Sequence, residues 1–333
     1  MHAVCFGNKG LGMMFLRLAL AFTFLFCSSF TVAASSWQQF LRGVKREALY
    51  QGVRPQVIEN AFSGLKAPNK KVVKLDRSQP EKRITFKQYR ATRGDSYRIL
   101  IGRKKYKAYR HLVDDVGRRY GVSPCFILSL WGLETSYGHF KGRFPVIQSL
   151  ATLAYDSRRS DFFRQELLLA LHILNDNQIK PSQFKGEWAG ASGHTQFLPS
   201  SWHHYSVDYN GDGRRDIWNS IPDAFASIAN YLKLNGWRSG QPWAIEVQLP
   251  PHFDASLMGR KIKKSVARWR QLGVRTLVRP FPAGGLPASI VYPDGGPALM
   301  VFGNFDTLMR WNRSIYFAGT VGYIAEQICR RPL

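Results

Sequence analysis

Trp131-Gly132-Leu133-Glu134-Thr135-Ser136-Tyr137-Gly138 follows directly on Cys125-Phe126-Ile127-Leu128-Ser129-Leu130, a run that is apolar on nearly every side. A helix that is apolar all round is a buried helix, so Glu134 is expected as a carboxylate at the end of a core element. Gly138 supplies the expected stop, because glycine tolerates the left-handed conformation that ends helices. Two effects then act together on Glu134. Low-dielectric surroundings disfavour its charged form, and the negative end of the helix dipole pushes the same way. A glutamate held protonated near neutral pH suits general-acid chemistry at a glycosidic bond. The alternative is a glutamate that caps or salt-bridges a surface turn.

Upstream, Ser123-Pro124 opens this helix, serine as N-cap and proline in the first turn. Before it an amphipathic helix is expected over about Lys105 to Tyr120, ended by Gly121. Lys70 to Arg93 is basic, polar and short of apolar periodicity, and reads as an ordered connection over the surface. From Trp37 to about Leu65 the pattern is helical, interrupted at Pro55. Downstream, Val146 to Ala154 is nearly all apolar, and Asp161 to Asn175 carries Phe162, Phe163, Leu167, Ala170, Leu171 and Leu174 at helical spacing. The glycine-rich stretch from Gly186 to Trp202 suits a backbone running close to a ligand, or a plain loop over the core.

Asp208-Tyr209-Asn210-Gly211-Asp212-Gly213-Arg214-Arg215-Asp216 has the oxygen-ligand spacing of a calcium loop, with glycine at the sharp turn. Asp208, Asn210, Asp212 and Arg214 are the candidate positions. Asn219 occupies the place of the bidentate glutamate, so Asp223 is the candidate closing ligand. Asp223 also stands three residues after Ser220, where it would fit a capping box. Beyond Trp237 the texture changes. Ala244 to Leu249 alternates like a half-buried strand. Ser289-Ile290-Val291-Tyr292 and Ala298 to Phe302 flank Pro293-Asp294-Gly295-Gly296 as a β-hairpin, and a last helix is expected over about Ser314 to Ile328.

The chain of 333 residues is 45% hydrophobic and 21% charged, which makes it globular and not disordered. Its 47 Lys+Arg against 22 Asp+Glu give +25, a balance that favours polyanions: nucleic acid, anionic membrane or an acidic wall polymer. Lys9 and Arg17 are the only charges before residue 35. With the apolar block Leu18 to Phe26 and the small residues Val32-Ala33-Ala34, residues 1–34 read as a secretory signal, too short for a membrane span. An ordinary buried first helix is the alternative. Phe26 is too bulky to precede a lipidated Cys27, so a soluble product without a membrane anchor is expected, with two fewer positive charges. Export leaves little access to nucleic acid, and an acidic envelope polymer becomes the expected partner. Only Cys125 and Cys329 remain after export. One bridge is open to them, but Cys125 in its apolar helix reads rather as a small core residue.

Taken together, these stretches resemble the B family of lytic murein transglycosylases. The resemblance rests on Leu75 to Glu81, Tyr120-Gly121-Val122, Trp131 to Thr135, Pro145 to Asp156, Ala189-Gly190-Ala191, Gln196-Phe197 with Pro199-Ser200-Ser201, Asp208 to Trp218, Ala229-Asn230-Tyr231, Gly236-Trp237, Asn304-Phe305 and Asn312-Arg313-Ser314. It implies a mainly α (α+β) fold, with a lysozyme-like helical core, flanking helices from both terminal segments and a small β element near residues 244–302. The corresponding segments are 35–104 (N-terminal helices), 105–240 (core, with the calcium loop at 208–223) and 241–333 (β element and closing helix). It further implies Glu134 as a single catalytic acid/base in a periplasmic enzyme acting on peptidoglycan glycan strands. Gln196, Tyr231, Asn312, Glu187, Ser192 and Tyr137 are the implied substrate residues, and Ca²⁺ the implied structural ion. Glu187 stands where serine is usual, Ser192 where methionine is usual, and Trp311 and Phe317 where tyrosines are usual. Two other readings remain: a hydrolytic muramidase, which needs a second carboxylate such as Glu187, and a non-enzymatic wall-binding protein. Oligomeric state is not legible.

Overall fold

The computed structural model describes residues 36–78 and 84–330. The signal reading of residues 1–34 and the end of the Leu75 to Glu81 motif lie outside the described residues. Helices come first: α1 (36–50), α2 (Pro55–Phe62), α3 (Lys70–Arg77), α4 (Phe86–Arg93), α5 (Ser96–Ala108), α6 (Arg110–Tyr120) and α7 (Pro124–Thr135). A two-residue strand, β1 (Phe144–Pro145), precedes α8 (Val146–Asp156) and α9 (Ser160–Asn175), and pairs antiparallel with β2 (Lys185–Gly186). Next come α10 (Pro199–Tyr205) and α11 (Ile221–Leu234). The C-terminal part holds β3 (Ala244–Gln248), β4 (Lys264–Ser265), α12 (Val266–Gln271), β5 (Arg275–Thr276), β6 (Pro287–Val291), β7 (Ala298–Val301), α13 (Gly303–Trp311) and α14 (Ile315–Cys329). The fold is mainly helical with a small antiparallel sheet in the order β4-β6-β7-β3-β5.

Helix α7 is the axis of the molecule. Pro124 occupies its first turn, and every residue from Cys125 to Gly132 is buried. Ser129 Oγ donates to the Val321 carbonyl of α14 at 2.6 Å, which fixes the register of the two helices. At such a site, truncating the fully buried Leu128 to alanine costs about 2–5 kcal/mol. One apolar cluster runs from Trp37 to Ile328 and includes α7. The sheet divides its residues by the period-2 rule. Leu299 and Val301 face that cluster, whereas Ala298 and Met300 join Ile245, Ile290 and Trp269 in a second, smaller one. The expected hairpin forms, with Ile290 opposite Met300.

Four sequence expectations are corrected. Lys70 to Arg93 is not a plain connection but contains α3 and α4. Each buries a single residue, Val72 and Phe86, and is held by its cap: Asn69 accepts from Lys71 and Val72 N–H groups, and Thr85 with Gln88 forms a capping box. The helix expected over Lys105 to Tyr120 is two helices meeting at Tyr109, whose ring turns edge-on to Trp131 and Phe225. Helix α7 stops at Thr135, three residues before Gly138, because Ser136 itself is left-handed (φ 49°). Arg98 donates to the Gly132 carbonyl at 2.6 Å and to Ser136 Oγ at 3.3 Å, which supplies the cap from outside the helix. Finally, Cys125 is not a free core thiol: it is bridged to Cys329, with a Cα–Cα distance of 5.9 Å. The packing of α14 along α7 brings the two together. Ser123, expected as the N-cap, holds that position without a side-chain hydrogen bond. Among the described residues no helix is long and apolar enough to cross a membrane.

Candidate active site

The C-terminal end of α7 carries Glu134 beside Trp311 of α13 and Tyr89 of α4. Its side chain is half-buried. Burial lifts its pKa from 4.5 to about 7, against the lowering effect of one hydrogen bond, from Trp311 Nε1 to Oε1 at 2.7 Å. Among the described residues no charged neighbour contributes to that shift, and none of their carboxylates acts on Glu134. Desolvation, the first of the two causes expected from the sequence, is therefore the one that dominates.

Trp131, one turn earlier, anchors the helix end from below. Its indole donates to His194 Nδ1 at 3.0 Å, and Tyr137 stands edge-on to it. Burial, followed by Lys141 and Lys105, lowers the His194 pKa to about 4. A neutral imidazole with an accepting Nδ1 suits the Trp131 bond.

The glycine-rich loop lies over this end of the core. Glu187 N–H donates to the Ala191 carbonyl (2.7 Å) and Ser192 N–H to the Phe197 carbonyl (3.0 Å). A Cβ on Gly142 would overlap the Gly186 backbone, so the loop is seated directly on residues 141–142. Gln196 is left-handed (φ 51°) and donates from Nε2 to the Gly193 carbonyl at 3.0 Å.

The candidate residues separate into three kinds. Glu134 and Tyr231 come together through Trp311. The Tyr231 ring lies 4.7 Å from the Trp311 ring, and its hydroxyl donates to the Arg310 carbonyl at 2.8 Å. Tyr137 and Ser192 are buried and engaged elsewhere: Tyr137 donates its hydroxyl to the Arg98 carbonyl (2.9 Å), and Ser192 Oγ accepts from Trp218 Nε1 (3.1 Å). Glu187 and Asn312 are exposed, without a side-chain hydrogen bond among the described residues. Two residues were given no role by the sequence reading, although Trp311 was noted as standing where tyrosine is usual. Trp311 is the one side-chain hydrogen-bond partner of the Glu134 carboxyl among the described residues, and Tyr89 of α4 lies close enough for Glu134 to raise its pKa, after desolvation. Trp311 could have been found from its place beside Asn312; Tyr89 sat in the stretch taken for a connection.

The 208–223 segment forms the expected loop. Oxygens of Asp208, Asp212 and Asp223 all lie within 4.8 Å of one another. Asp208 accepts from the Gly211 and Gly213 N–H groups at 2.8 Å, and Arg214 N–H donates to Asp212 at 2.9 Å. Asp223 is fully buried, yet it is not the capping acid. Its two oxygens accept from Tyr209 and Asp216 N–H, each at 2.9 Å, which ties the loop to the start of α11. Three carboxylates this close, with no ion pair among the described residues, fit a hard cation with oxygen ligands. Asn210 Oδ1 accepts from Asp212 N–H and faces the same turn.

This mainly helical core, with one glutamate of raised pKa at the end of a buried helix, is a lysozyme-like architecture. The chain matches the Transglycosylase SLT domain family over residues 36–326 and belongs to it. It is 33% identical over 233 residues to membrane-bound lytic murein transglycosylase B of Escherichia coli K12, an alignment covering 67% of this chain and 62% of that protein. The chain thus spans less than two thirds of that relative's length. SltB3 from Pseudomonas aeruginosa, solved in complex with NAG-anhNAM-pentapeptide, superposes with a TM-score of 0.85 at 39% identity, over 88% of this chain and 79% of that one. The Escherichia coli lytic transglycosylase Slt35 in complex with calcium superposes with a TM-score of 0.74 at 28% identity, over 88% and 92%.

Proposed function

We propose that the protein is a lytic murein transglycosylase that cleaves the β-1,4 bond between N-acetylmuramic acid and N-acetylglucosamine in peptidoglycan and leaves 1,6-anhydromuramoyl ends. The observation that carries this reading is the isolation of Glu134: a carboxyl protonated up to about pH 7 by burial, with no second carboxylate among the described residues acting on it. Protonated Glu134 gives its proton to the leaving glycosidic oxygen. The carboxylate then takes the proton of the muramoyl C6 hydroxyl as that oxygen closes on C1. Retaining and inverting hydrolases instead need a paired carboxylate roughly 5–9.5 Å away. Family membership and the anhydro-sugar ligand of the SltB3 structure support the same chemistry.

Gln196 and Tyr231 line the glycan cleft, Tyr231 also steadying Trp311, while Glu187, Asn312, Ser192 and Tyr137 are the further substrate residues of this reading. Residues 35–333 make one catalytic unit, exported to the periplasm. Asp208, Asp212, Asp223 and Asn210, with Arg214 in the same turn, would hold Ca²⁺, whose charge would offset the clustered carboxylates; it supports the fold and takes no part in the chemistry. Mass spectrometry of sacculus digests tests the whole. Anhydro ends from the unaltered protein, lost in Glu134→Gln, are expected. Reducing muramic ends would favour hydrolysis, and no product at all a wall-binding role.

A further inference from the structure

Glu134 has two oxygens, and the protein engages one of them. Trp311 donates to Oε1 at 2.7 Å, whereas Oε2 has no protein donor among the described residues and is not fully buried. The donor is firmly held. Its ring packs against Tyr231 at 4.7 Å and Phe197 at 5.4 Å, and the Tyr231 hydroxyl pins the carbonyl of the preceding residue, Arg310. An indole N–H donates and never accepts. A neutral carboxyl facing it therefore turns its carbonyl oxygen to the indole and carries its hydrogen on the other oxygen.

Resting on the lytic reading above, we propose that Trp311 is a positioning residue that keeps the working proton of Glu134 on Oε2, so that one oxygen serves both halves of the reaction. In the first half the Oε2 proton passes to the glycosidic oxygen as its bond to C1 breaks. In the second, Oε2 takes the C6 hydroxyl proton as O6 bonds to C1, which restores the starting acid. Oε1 remains on the indole throughout. The same bond favours the carboxylate over the acid, opposing burial, so Trp311 also sets how readily the proton leaves.

Other charged or titratable groups lie around this end of α7: Tyr89 of α4 with Arg93 acting on it, Arg98 of α5, Tyr137 after the helix, Tyr231 of α11, and Tyr316 of α14, whose ring is tilted against Tyr89 at 5.9 Å. None of them donates to Glu134. Arg98 is occupied by the Gly132 carbonyl and Ser136.

The decisive measurement leaves Trp311 in place. In the unaltered protein the Trp311 indole N–H resonance should titrate with the Glu134 midpoint near pH 7, and in Glu134→Gln it should stay flat. Trp311→Phe removes the donor. The alkaline limb of its pH–kcat profile should then move up by about one to two pH units, as expected for losing a hydrogen bond to a charged group. Its kcat should fall about tenfold or more with little change in KM. Trp311→Tyr, a donor again, should bring the limb back. A flat indole resonance in the unaltered protein, or an unmoved alkaline limb in a folded Trp311→Phe, overturns the proposal even if activity drops. Should the indole titrate while digests carry reducing ends only, the lytic reading and the ring-closing half fall, and only the placing of the acid proton on Oε2 by Trp311 stands. With anhydro ends and a flat indole, the outcome is the reverse.

Discussion

Replacing Glu134 by glutamine should make the protein inactive and, above neutral pH, more stable. The folded state holds the Glu134 carboxyl at a pKa of about 7, against 4.5 for the ordinary group. Below pH 4.5 both folded and unfolded chains carry the proton, and the site costs nothing. Between 4.5 and 7 the unfolded chain releases it while the folded chain retains it, so stability falls as pH rises. Above pH 7 both have lost it, and the loss levels off. Two and a half pH units at about 1.4 kcal/mol each come to about 3 kcal/mol. Glutamine does not titrate, and its amide oxygen still accepts from the Trp311 indole. For a unit of about 300 residues, an unfolding entropy near 2.1 cal/mol/K per residue converts this to about 5 °C. The assay is a pair of thermal melts for each protein between pH 4 and pH 8. Subtracting one from the other cancels every other titrating group. The curves should coincide at pH 4 and diverge to about 5 °C at pH 8, with glutamine the more stable. Parallel curves across that range would mean that folding does not raise the pKa of this carboxyl, and the general-acid argument would lose its physical basis.

Calcium should raise the melting temperature, and Asp212→Ala should abolish that response while leaving the chelated protein nearly unchanged. Asp223→Ala should differ, losing about 2–4 kcal/mol even in chelator, because two loop N–H groups lose their acceptor; identical behaviour of the two variants in chelator would argue against that distinction. Replacing both Cys125 and Cys329 by alanine frees a loop spanning 204 residues, worth up to about 5 kcal/mol in chain entropy. Denaturant melts of that variant should show the loss, and an unchanged midpoint would place the stability of the α7–α14 pairing entirely in its packing. Gly142→Ala should cost more than about 3 kcal/mol or displace the 186–197 loop, since the added methyl overlaps the Gly186 backbone at a left-handed position (φ 90°). Retained glycan binding and an unshifted melt would contradict the seating of that loop.

What the sequence made legible was local. Helix α7 announces itself by being apolar on all sides, the β6–β7 hairpin by alternation around Pro293-Asp294-Gly295-Gly296, and the acidic 208–223 loop by the spacing of its acids. Helices α3 and α4 gave no such signal, because each buries one residue and apolar periodicity cannot be read from one. Their caps were nevertheless written in the chain, as Asn69 and as Thr85 with Gln88. The remaining features join positions too distant for any local pattern to couple. Cys125 meets Cys329 across 204 residues, Arg98 caps α7 from 34 residues upstream, and Trp311 reaches Glu134 across 177. Each is a consequence of how α14, α5 and α13 lie against α7. A local motif can therefore identify the acid, but its protonation and the oxygen that bears the proton follow from tertiary packing. Relatives sharing the Trp131 to Thr135 motif should then differ in the pH dependence of their reactions according to the donor at the position of Trp311, with the motif itself unchanged.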